Sequence, residues 1–344
     1  MTNDKLYRVL DANINRAMEG LRVVEEIVRF ILENKKLTLE IKNLRADLKK
    51  IVSKLPKKQL LSARASLSDV GWKLYTKSEG KRSKTEELFY SNIKRSEEAV
   101  RVLEEFSKLI NPKLGRVFKA IRFKLYEMEK QIARQLALDF DLYMITDPMR
   151  GHLETIKAAI AGGAKIVQLR DKYAGKNELL KIARAARALT KKHGVKLIIN
   201  DYLDIAKKVD ADGVHIGQGD HSIKTARRIL GADRVIGVSA SSLSQALKAE
   251  KEGADYIGLG PIFATSIKPE AKPVGLKALK EAVEKVKIPI VALGGINGSN
   301  IDKVLEHTKR IAVIRAVVEK KNMKQAVQAL FERINEHGFN RPVR

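Results

Sequence analysis

The sequence predicts an α/β protein with two domains: an all-α helical domain at residues 1–137, followed by a (β/α)8 TIM barrel at residues 138–344. In the first part, apolar residues recur at helical spacing. In the second part, short apolar runs rich in β-branched residues alternate with amphipathic stretches. The length of 344 residues is sufficient for two domains that each bury a core.

The helical prediction rests on an apolar face that begins near the amino terminus and on later runs of the same kind. Further helices are predicted at residues 39–55, 85–110 and 113–136, with Pro56 and Pro112 between them. The polar stretch at residues 57–84 contains glycines and one Trp, and we predict that it is a structured loop. The first apolar face is formed by Leu6, Leu10, Ile14, Ala17, Leu21, Val24 and Val28.

An internal repeat lies within the helical domain, because R-A-M-E-G-L-R-V-V-E-E at residues 16–26 is echoed by R-S-E-E-A-V-R-V-L-E-E at residues 95–105. Charged residues three positions apart lie along one side of a helix. One interpretation, which the spacing favours, is a pair of salt-bridged faces in a duplicated bundle. The other is a pseudo-symmetric polar site between two helices. The residues are Arg16, Glu19 and Arg22 in the first copy and Arg95, Glu98 and Arg101 in the second.

The barrel prediction rests on eight short apolar runs, each followed by a helical pattern or a glycine-containing loop. Strands that are covered on both faces are continuously apolar, and eight such units fit a closed parallel barrel. An open, doubly wound sheet is the alternative, but no G-x-G-x-x-G follows the first run. The predicted strands are residues 142–146, 166–169, 197–200, 213–216, 235–238, 256–259, 288–293 and 311–314.

The composition excludes several classes of protein. Hydrophobic residues at 44% and charged residues at 31% describe a globular chain. No apolar run approaches the roughly 20 residues that cross a bilayer, and a charged helical pattern follows Met1 almost at once. We therefore expect a cytoplasmic protein with no membrane partner. The absence of cysteine excludes disulfides, thiolate metal sites and cysteine nucleophiles.

The net charge of +26 is spread over both predicted domains. Residues 1–140 contain 31 Lys/Arg against 19 Asp/Glu, and the remainder contains 36 against 22. A nucleic-acid-binding protein concentrates its positive charge on one face or tail. The dispersed charge instead favours a lysine-rich surface suited to anionic substrates or to a hot habitat, and we expect no nucleic-acid partner.

Charged residues follow the predicted strands at the end where a barrel carries its active site. Arg170, Lys172 and Lys268 place three cations at this end, where they could neutralise a diphosphate. Asp201 and Asp220 are hard oxygen ligands, and two carboxylates completed by phosphate oxygens and water suit Mg²⁺.

The glycine pair Gly294-Gly295 follows the seventh predicted strand, where it permits a close approach of the backbone to a phosphate. Each of these features has a simpler explanation when taken alone, such as a helix cap, a turn or a solvated lysine. Six polar clusters at the ends of consecutive strands are harder to explain separately. Together they predict one anion-binding and metal-binding site.

The barrel resembles the thiamine phosphate synthase family over nearly all of residues 142–329. The resemblance is carried, in order, by Q-L-R-D-K, I-N-D, G-V-H-I-G-Q-G-D, G-V-S-A, Y-I-G-L-G-P-I-F-A-T and A-L-G-G-I. It implies that Asp201 and Asp220 bind Mg²⁺, and that Thr265 and Gly295 hold the thiazole phosphate with backbone near Ile314 and Arg315. It also implies contacts to an aminopyrimidine diphosphate from Gln168, Arg170, Lys172, Asn200, Ser239 and Lys268.

Two departures from the family pattern concern the phosphate of the thiazole. Where the family often has T-x-T-K, this chain has Thr265-Ser266-Ile267-Lys268, so Ser266 could replace the missing hydroxyl. Arg315 stands where many relatives carry Ser. A cation there could bind the phosphate, or it could pair with an acidic residue.

The implied reaction needs no side-chain nucleophile, since Mg²⁺ and the cations stabilise a departing diphosphate and the thiazole nitrogen captures the resulting cation. His215 lies on a predicted strand within a strongly apolar motif, so we expect a packed, hydrogen-bonded residue and not a base. Two rivals stay open. One is a thiazole tautomerase of the same fold, although Ser241 stands where a histidine is expected, and the other is an inactive barrel with a nucleic-acid-binding or regulatory role.

The first domain contains D-A-N-I-N-R at residues 11–16, E-G-L-R-V-V-E at residues 19–25, A-R at residues 63–64, D-V-G at residues 69–71 and a second R-V-L-E-E at residues 101–105. On these motifs it resembles the helical domain fused to some bacterial thiamine phosphate synthases, a family proposed to be an alternative hydroxymethylpyrimidine phosphate kinase. This resemblance implies an ATP-dependent step that supplies the diphosphate to the barrel. No P-loop motif occurs, so ATP would need another binding geometry. A structural or oligomerising domain, with a homo-oligomeric protein, is the alternative. The implied site residues are Asn13, Arg16, Glu19, Arg22, Arg64, Asp69, Glu98 and Arg101.

Overall fold

A computed structural model of the chain describes residues 3–65, 82, 84–138 and 140–339. It divides the chain into two compact units, Met1–Asp139 and Phe140–Arg344, and each unit has its own buried apolar core. The first unit is helical and the second is a closed barrel, so the predicted fold class is confirmed. Among the residues described, no helix is long and apolar enough to span a bilayer.

The helices of the first unit begin and end at residues that explain their limits. Asn34 accepts a hydrogen bond from the Leu37 N–H at the start of the second helix, and Asn111 accepts one from Lys113 at the start of the fifth. The helices are α1 (Asn3–Glu26, continued by a π-helical turn, Ile27–Ile31), α2 (Lys35–Val52), α3 (Lys57–Ser62), α4 (Thr85–Ser107) and α5 (Pro112–Ala137).

The prediction of a loop over residues 57–84 was wrong at its beginning, because α3 occupies residues 57–62. Pro56 precedes the first turn, where its missing N–H is tolerated, and Leu60 buries its side chain in the helical core. The high polarity of the surrounding segment concealed this one buried position. Residues 66–81 and 83 lie outside the described part of the chain.

The internal repeat is a duplicated helical hairpin with a buried ion pair in each copy. In both copies a glutamate on the first helix lies between an arginine three residues earlier and an arginine on the second helix. The glutamates, Glu25 and Glu104, are only 1% and 3% exposed. The pairs are Glu25 with Arg22 and Arg45, and Glu104 with Arg101 and Arg122.

Helices α1 and α4 pack closely at equivalent positions of the two copies. The Ser96 hydroxyl donates a hydrogen bond to the Ala17 carbonyl at 3.3 Å, and these residues correspond in the repeat. Gly20 permits the approach, since a Cβ there would overlap the Ser96 hydroxyl. One copy of the repeat therefore contacts the equivalent position of the other.

In the second unit, eight parallel strands pair in sequence order within residues 140–339, and β1 also pairs with β8 to close the barrel. The strands are β1 (Leu142–Ile145), β2 (Ile166–Leu169), β3 (Lys196–Asn200), β4 (Gly213–Ile216), β5 (Val235–Ala240), β6 (Tyr256–Leu259), β7 (Ile290–Leu293) and β8 (Ile311–Val313). The intervening helices are α6 (His152–Ala161), α7 (Lys176–Lys192), α8 (Leu203–Lys208), α9 (Ile223–Leu230), α10 (Leu243–Glu252), α11 (Gly275–Lys285) and α12 (Ile301–Leu305). Helices α13 (Arg315–Val318) and α14 (Met323–Phe339) follow β8.

The strands are almost entirely buried, as expected for a parallel sheet that is covered by helices. Because all strands run in one direction, their carboxyl ends and the loops that follow meet at one mouth of the barrel. Strand β5 is longer than predicted and continues to Ala240, so Ser239 lies within the strand.

Candidate active site at the carboxyl ends of the barrel strands

A cavity of about 1740 Å³ lies at the carboxyl ends of the barrel strands, and it is large enough for two small substrates. Every barrel residue predicted for the site contributes to its wall. They come from the ends of seven strands, β2 to β8, and are Gln168, Arg170, Lys172, Asn200, Asp201, Asp220, Ser239, Thr265, Ser266, Lys268, Gly295, Ile314 and Arg315.

Two carboxylates meet at one side of this cavity. The carboxyl groups of Asp201 and Asp220 hydrogen-bond to each other. The Asn200 amide donates to Asp201 Oδ2 at 2.6 Å, and the Gly217 N–H donates to Asp220 Oδ2 at 2.7 Å. Asp201 has a φ of 62°, a left-handed conformation that aspartate tolerates better than most residues. The backbone of Asp201 is therefore in an uncommon conformation in the turn after β3, and this conformation sets the direction of its side chain.

The carboxyl pair is electrostatically asymmetric. Burial raises the pKa of Asp201, and the hydrogen bond and negative charge of Asp220 raise it further, against the opposing charges of Lys172 and Arg170. Burial also opposes ionisation of Asp220, but hydrogen bonds from Asp201 and Gly217 outweigh it and keep the pKa of that carboxyl below its usual range. Two carboxylates in contact repel each other, and a cation between them would relieve this repulsion.

The donor set suits a hard divalent cation that is completed by substrate. Among the described residues, no group of three or more His, Asp or Glu could enclose a metal without other ligands. Mg²⁺ is commonly held by one or two carboxylates together with phosphate oxygens and water. Asp201 and Asp220 therefore fit Mg²⁺ whose remaining ligands are phosphate oxygens and water.

The loop that carries Arg170 and Lys172 is held by buried polar side chains that the sequence analysis did not identify. Thr146 Oγ1 accepts a hydrogen bond from the Arg170 N–H at 3.1 Å and lies 2.8 Å from His152 Nδ1. His152 Nε2 lies 2.9 Å from Asp171 Oδ2, and the other oxygen of Asp171 accepts two backbone N–H groups of the next turn. These bonds fix both ends of the loop.

His215 is buried and hydrogen-bonded, as predicted. Its Nδ1 lies 2.9 Å from the Tyr256 hydroxyl, and its Nε2 lies 2.8 Å from the Ser239 hydroxyl. Burial lowers the pKa of His215 to about 4, and the charge of Lys268 adds to this effect. The imidazole is therefore neutral near pH 7, although it also contacts the cavity.

The opposite side of the cavity is formed by the loops after β6, β7 and β8. Gly294 and Gly295 have φ values of 91° and 69°, and a Cβ on Gly295 would lie 2.5 Å from the Ala264 carbonyl oxygen. Only glycine fits this turn without strain. Arg315 donates to Glu319 at 2.8 Å, so it pairs with an acid four residues later while still lining the cavity.

The described site candidates in the helical unit fall into two groups, those that form hydrogen bonds or ion pairs and those that do not. Arg22 and Arg101 form ion pairs with glutamates of their own helices, which favours the salt-bridge interpretation for these two residues. Asn13 donates to a carbonyl of its own helix, and Arg64 forms two hydrogen bonds with Asp11 at 2.7 Å. The second group is exposed and has no hydrogen bond or ion pair to other described residues: Arg16, Glu19 and Glu98. Asp69 lies outside the described residues.

Two protein families match separate parts of the chain. The family described as thiamine monophosphate synthase matches residues 142–317, and the ThiD2 family matches residues 8–131. The first match covers the strands and loops that form the cavity, and the second covers the duplicated hairpins.

Known proteins are similar over nearly the whole length. The thiamine-phosphate synthase of Synechocystis sp. is 40% identical over 335 residues, which is 96% of each chain. That of Nostoc punctiforme is 38% identical and covers 96% of this chain and 94% of its own. A solved thiamine phosphate pyrophosphorylase from Pyrococcus furiosus is 39% identical with a TM-score of 0.56, and the match covers 59% of this chain and 98% of that one.

Proposed function

From the premise that this chain belongs to the thiamine monophosphate synthase family and is an enzyme of the transferase class, we propose the reaction of its barrel. The barrel couples 4-amino-2-methyl-5-(diphosphooxymethyl)pyrimidine with thiazole phosphate, forming thiamine phosphate and releasing pyrophosphate. The family resemblance predicted from the sequence is confirmed for both parts of the chain. The coupling reaction, the metal and the residue roles are the proposal.

The observation that carries the proposal is the convergence of three cations and two carboxylates on one cavity. Arg170, Lys172 and Lys268 reach it from two strand ends, and Asp201 and Asp220 reach it from two others. A diphosphate leaving group needs positive charge on its oxygens as its bond to carbon breaks. This arrangement provides that charge at the mouth of the barrel.

Asp201 and Asp220 would hold Mg²⁺, which would neutralise charge on the diphosphate when it is bound. Arg170, Lys172 and Lys268 bind the remaining phosphate oxygens, and Arg170 does so through a planar group that can form paired hydrogen bonds. Because the Thr146–His152–Asp171 hydrogen bonds fix the loop after β2, Arg170 and Lys172 are in position before the substrate arrives.

The residues that contact the pyrimidine orient its ring while the bond to the diphosphate breaks. The bond between the methylene carbon and the diphosphate oxygen breaks with both electrons passing to the oxygen, and the electron-rich ring stabilises the resulting cation. The lone pair of the thiazole nitrogen then forms the new carbon–nitrogen bond. Gln168, Asn200 and Ser239 provide the polar contacts to the pyrimidine in this proposal.

The thiazole phosphate binds at the opposite side of the cavity. The turn at Gly294-Gly295 brings backbone N–H groups close to the ligand, and Thr265 and Ser266 add hydroxyls. Backbone at Ile314 and the guanidinium of Arg315 complete the phosphate site. Arg315 can serve both Glu319 and a phosphate, since a guanidinium has five N–H donors.

Incubation of the whole chain with both substrates and Mg²⁺ tests this function. We expect thiamine phosphate, identified by its mass, to accumulate. Isomerisation of the thiazole without coupling would support the tautomerase instead, although the exposed Ser241 hydroxyl is directed to Gln245 and no histidine stands there. Salt-sensitive nucleic-acid binding without turnover would support an inactive barrel.

For the helical unit we propose ATP-dependent phosphorylation of hydroxymethylpyrimidine phosphate, which would supply the first substrate of the barrel. The match to the ThiD2 family and the exposed, unpaired Arg16, Glu19 and Glu98 support this role. The whole chain, given the monophosphate, ATP and Mg²⁺, should form the diphosphate. A chain that begins at Phe140 should couple but not phosphorylate, and a barrel that still phosphorylates would contradict this division.

A further inference from the structure

A continuous path of buried hydrogen bonds connects Gln168 on β2 to Ser239 on β5. The Gln168 amide donates to the Tyr143 hydroxyl at 2.9 Å, and this hydroxyl lies 2.9 Å from the Tyr256 hydroxyl. Tyr256 lies 2.9 Å from His215 Nδ1, and His215 Nε2 lies 2.8 Å from Ser239 Oγ. We call these five side chains the tyrosine–histidine relay. Both of its ends contact the cavity.

Glycines on β5 and β6 leave room for the rings of the relay. A Cβ on Gly237 would overlap the ring of Tyr256, and a Cβ on Gly258 would lie 2.9 Å from His215 Cε1. Tyr143 and Tyr256 are 1% and 0% exposed, so their hydroxyls have no access to water. The members of the relay must therefore satisfy one another.

All internal members of the relay are neutral near pH 7. Burial raises the pKa of both tyrosines and lowers that of His215. Each hydroxyl thus has one hydrogen to donate, and the imidazole has one protonated nitrogen. Under this constraint, the direction of one hydrogen bond sets the direction of the next.

In the observed arrangement the Gln168 amide donates to Tyr143, which leaves Tyr143 to donate to Tyr256 and Tyr256 to donate to His215 Nδ1. The imidazole proton then lies on Nε2 and is donated to Ser239 Oγ. The Ser239 hydrogen and the Gln168 carbonyl oxygen are left for the cavity. Ser239 becomes a donor and Gln168 an acceptor.

The reverse arrangement is also complete, but only if every member turns together. With the proton on His215 Nδ1, Tyr256 donates to Tyr143, and Tyr143 must donate to the carbonyl oxygen of a flipped Gln168 amide. The Gln168 amide N–H then faces the cavity as a donor, and Ser239, whose hydrogen now goes to His215, faces it as an acceptor. A mixed arrangement leaves a buried hydroxyl without an acceptor, which is strongly disfavoured.

We propose that the tyrosine–histidine relay couples the two ends, so that Gln168 presents an acceptor whenever Ser239 presents a donor, and that Tyr143 and Tyr256 act as positioning residues for pyrimidine recognition. This inference rests on the proposed function. An aminopyrimidine edge offers an amine hydrogen beside a ring nitrogen lone pair, which matches the observed arrangement. A 4-oxo analogue offers the opposite pattern and would require the whole relay to reverse.

The proton position is measurable without any reaction. In the whole chain labelled with ¹⁵N-histidine, the His215 signals are assigned from their absence in His215→Gln. We expect the proton on Nε2 and the lone pair on Nδ1. A proton on Nδ1 would overturn the assigned direction, whether or not the protein couples its substrates.

The coupling of the two ends is tested by specificity. The inhibition constant of the 4-oxo pyrimidine diphosphate is compared with the KM of the amino substrate in the coupling assay, which reports on the barrel alone. Tyr256→Phe cuts the relay and frees Gln168 to turn independently of Ser239, so the ratio of the two constants should fall by about tenfold. Tyr173→Phe, a matched change at an 89% exposed tyrosine, should leave the ratio unchanged.

The possible results separate the relay from the reaction. A wild-type chain that couples, together with a Tyr256→Phe variant that keeps the full ratio, would overturn the relay and leave the proposed function intact. A wild-type chain that does not couple would remove the proposed function. In that case, or if Tyr256→Phe does not fold, the NMR measurement on the wild-type chain is the test. A proton on His215 Nε2 supports the relay, and a proton on Nδ1 overturns its assigned direction.

Discussion

The carboxyl groups of Asp201 and Asp220 hydrogen-bond to each other at one side of the barrel mouth, although they follow different strands. The left-handed φ of Asp201 and the N–H of Gly217 hold them in this contact. Such a pair is stabilised by a shared proton or a shared cation. The proposed role of Mg²⁺ depends on this relationship.

Asp201→Asn and Asp220→Asn should each lower the coupling rate about a hundredfold or more, because each removes a charge that would hold the metal. Asparagine tolerates the left-handed backbone at position 201, so the substitution tests charge and not strain. Circular dichroism should show an unchanged fold, and the Mg²⁺ concentration for half-maximal rate should rise. Unchanged rates in both variants would remove the metal assignment.

His152→Ala should raise the KM for the pyrimidine diphosphate about tenfold and leave the KM for thiazole phosphate unchanged. The side chain joins Thr146 to Asp171, and without it the loop that carries Arg170 and Lys172 loses its support. Steady-state kinetics with each substrate varied in turn measures the difference. His193→Ala, an exposed histidine at the end of α7, is the control. Equal changes in both KM values would argue for general damage.

Glu25→Gln and Glu104→Gln should each destabilise the helical unit by about 3 kcal/mol, since each leaves the charge of a partly buried arginine without its partner. The duplicated geometry predicts similar losses in the two copies. Chemical denaturation followed by helical circular dichroism measures them. Glu98→Gln, exposed on α4, should change the free energy of unfolding by less than about 0.5 kcal/mol. A stability equal to wild type in both buried variants would refute the structural role of the ion pairs.

The stability of the barrel should depend on pH through His215. Its pKa of about 4 in the folded protein lies below the ordinary value of 6.5, so the unfolded chain binds this proton more tightly. The contribution is complete above about pH 6.5 and is lost as the pH falls towards 4. Comparison with His215→Gln isolates it from the carboxyl groups that titrate nearby. A His215 NMR signal that titrates near pH 6.5 in the folded protein would contradict this expectation.

The sequence predicted the barrel well because its strands differ from their surroundings in a simple way. The runs at residues 166–169, 213–216 and 256–259 are fully buried and agree with the observed strands. The residues that line the cavity could be predicted because a parallel barrel brings the end of every strand to one mouth, which makes their sequence positions informative.

The supporting residues could not be predicted in the same way. Thr146, His152 and Asp171 meet only after the barrel closes, and no spacing in the sequence links Tyr143 to Tyr256. Hydrogen bonds between distant segments leave no periodic signal. These contacts can be identified only when the three-dimensional structure shows where each side chain points.

In the helical unit, the repeat was visible but its meaning was not. The motif shows Arg22 beside Glu25 in sequence, whereas Arg45 lies on another helix with no motif around it. The charged residues of an ion-pair face and those of a substrate site would have the same spacing along α1. Their burial distinguishes the two interpretations, because Glu25 is 1% exposed, while Arg16 is exposed and unpaired among the described residues.

The most direct test of the proposed coupling follows both substrates and all phosphorus-containing products by ³¹P NMR in the whole chain, with and without Mg²⁺. We predict one pyrophosphate for each thiamine phosphate formed, at a rate that falls to background when the metal is chelated. Pyrophosphate release without thiamine phosphate, or coupling that continues without a divalent cation, would contradict this account.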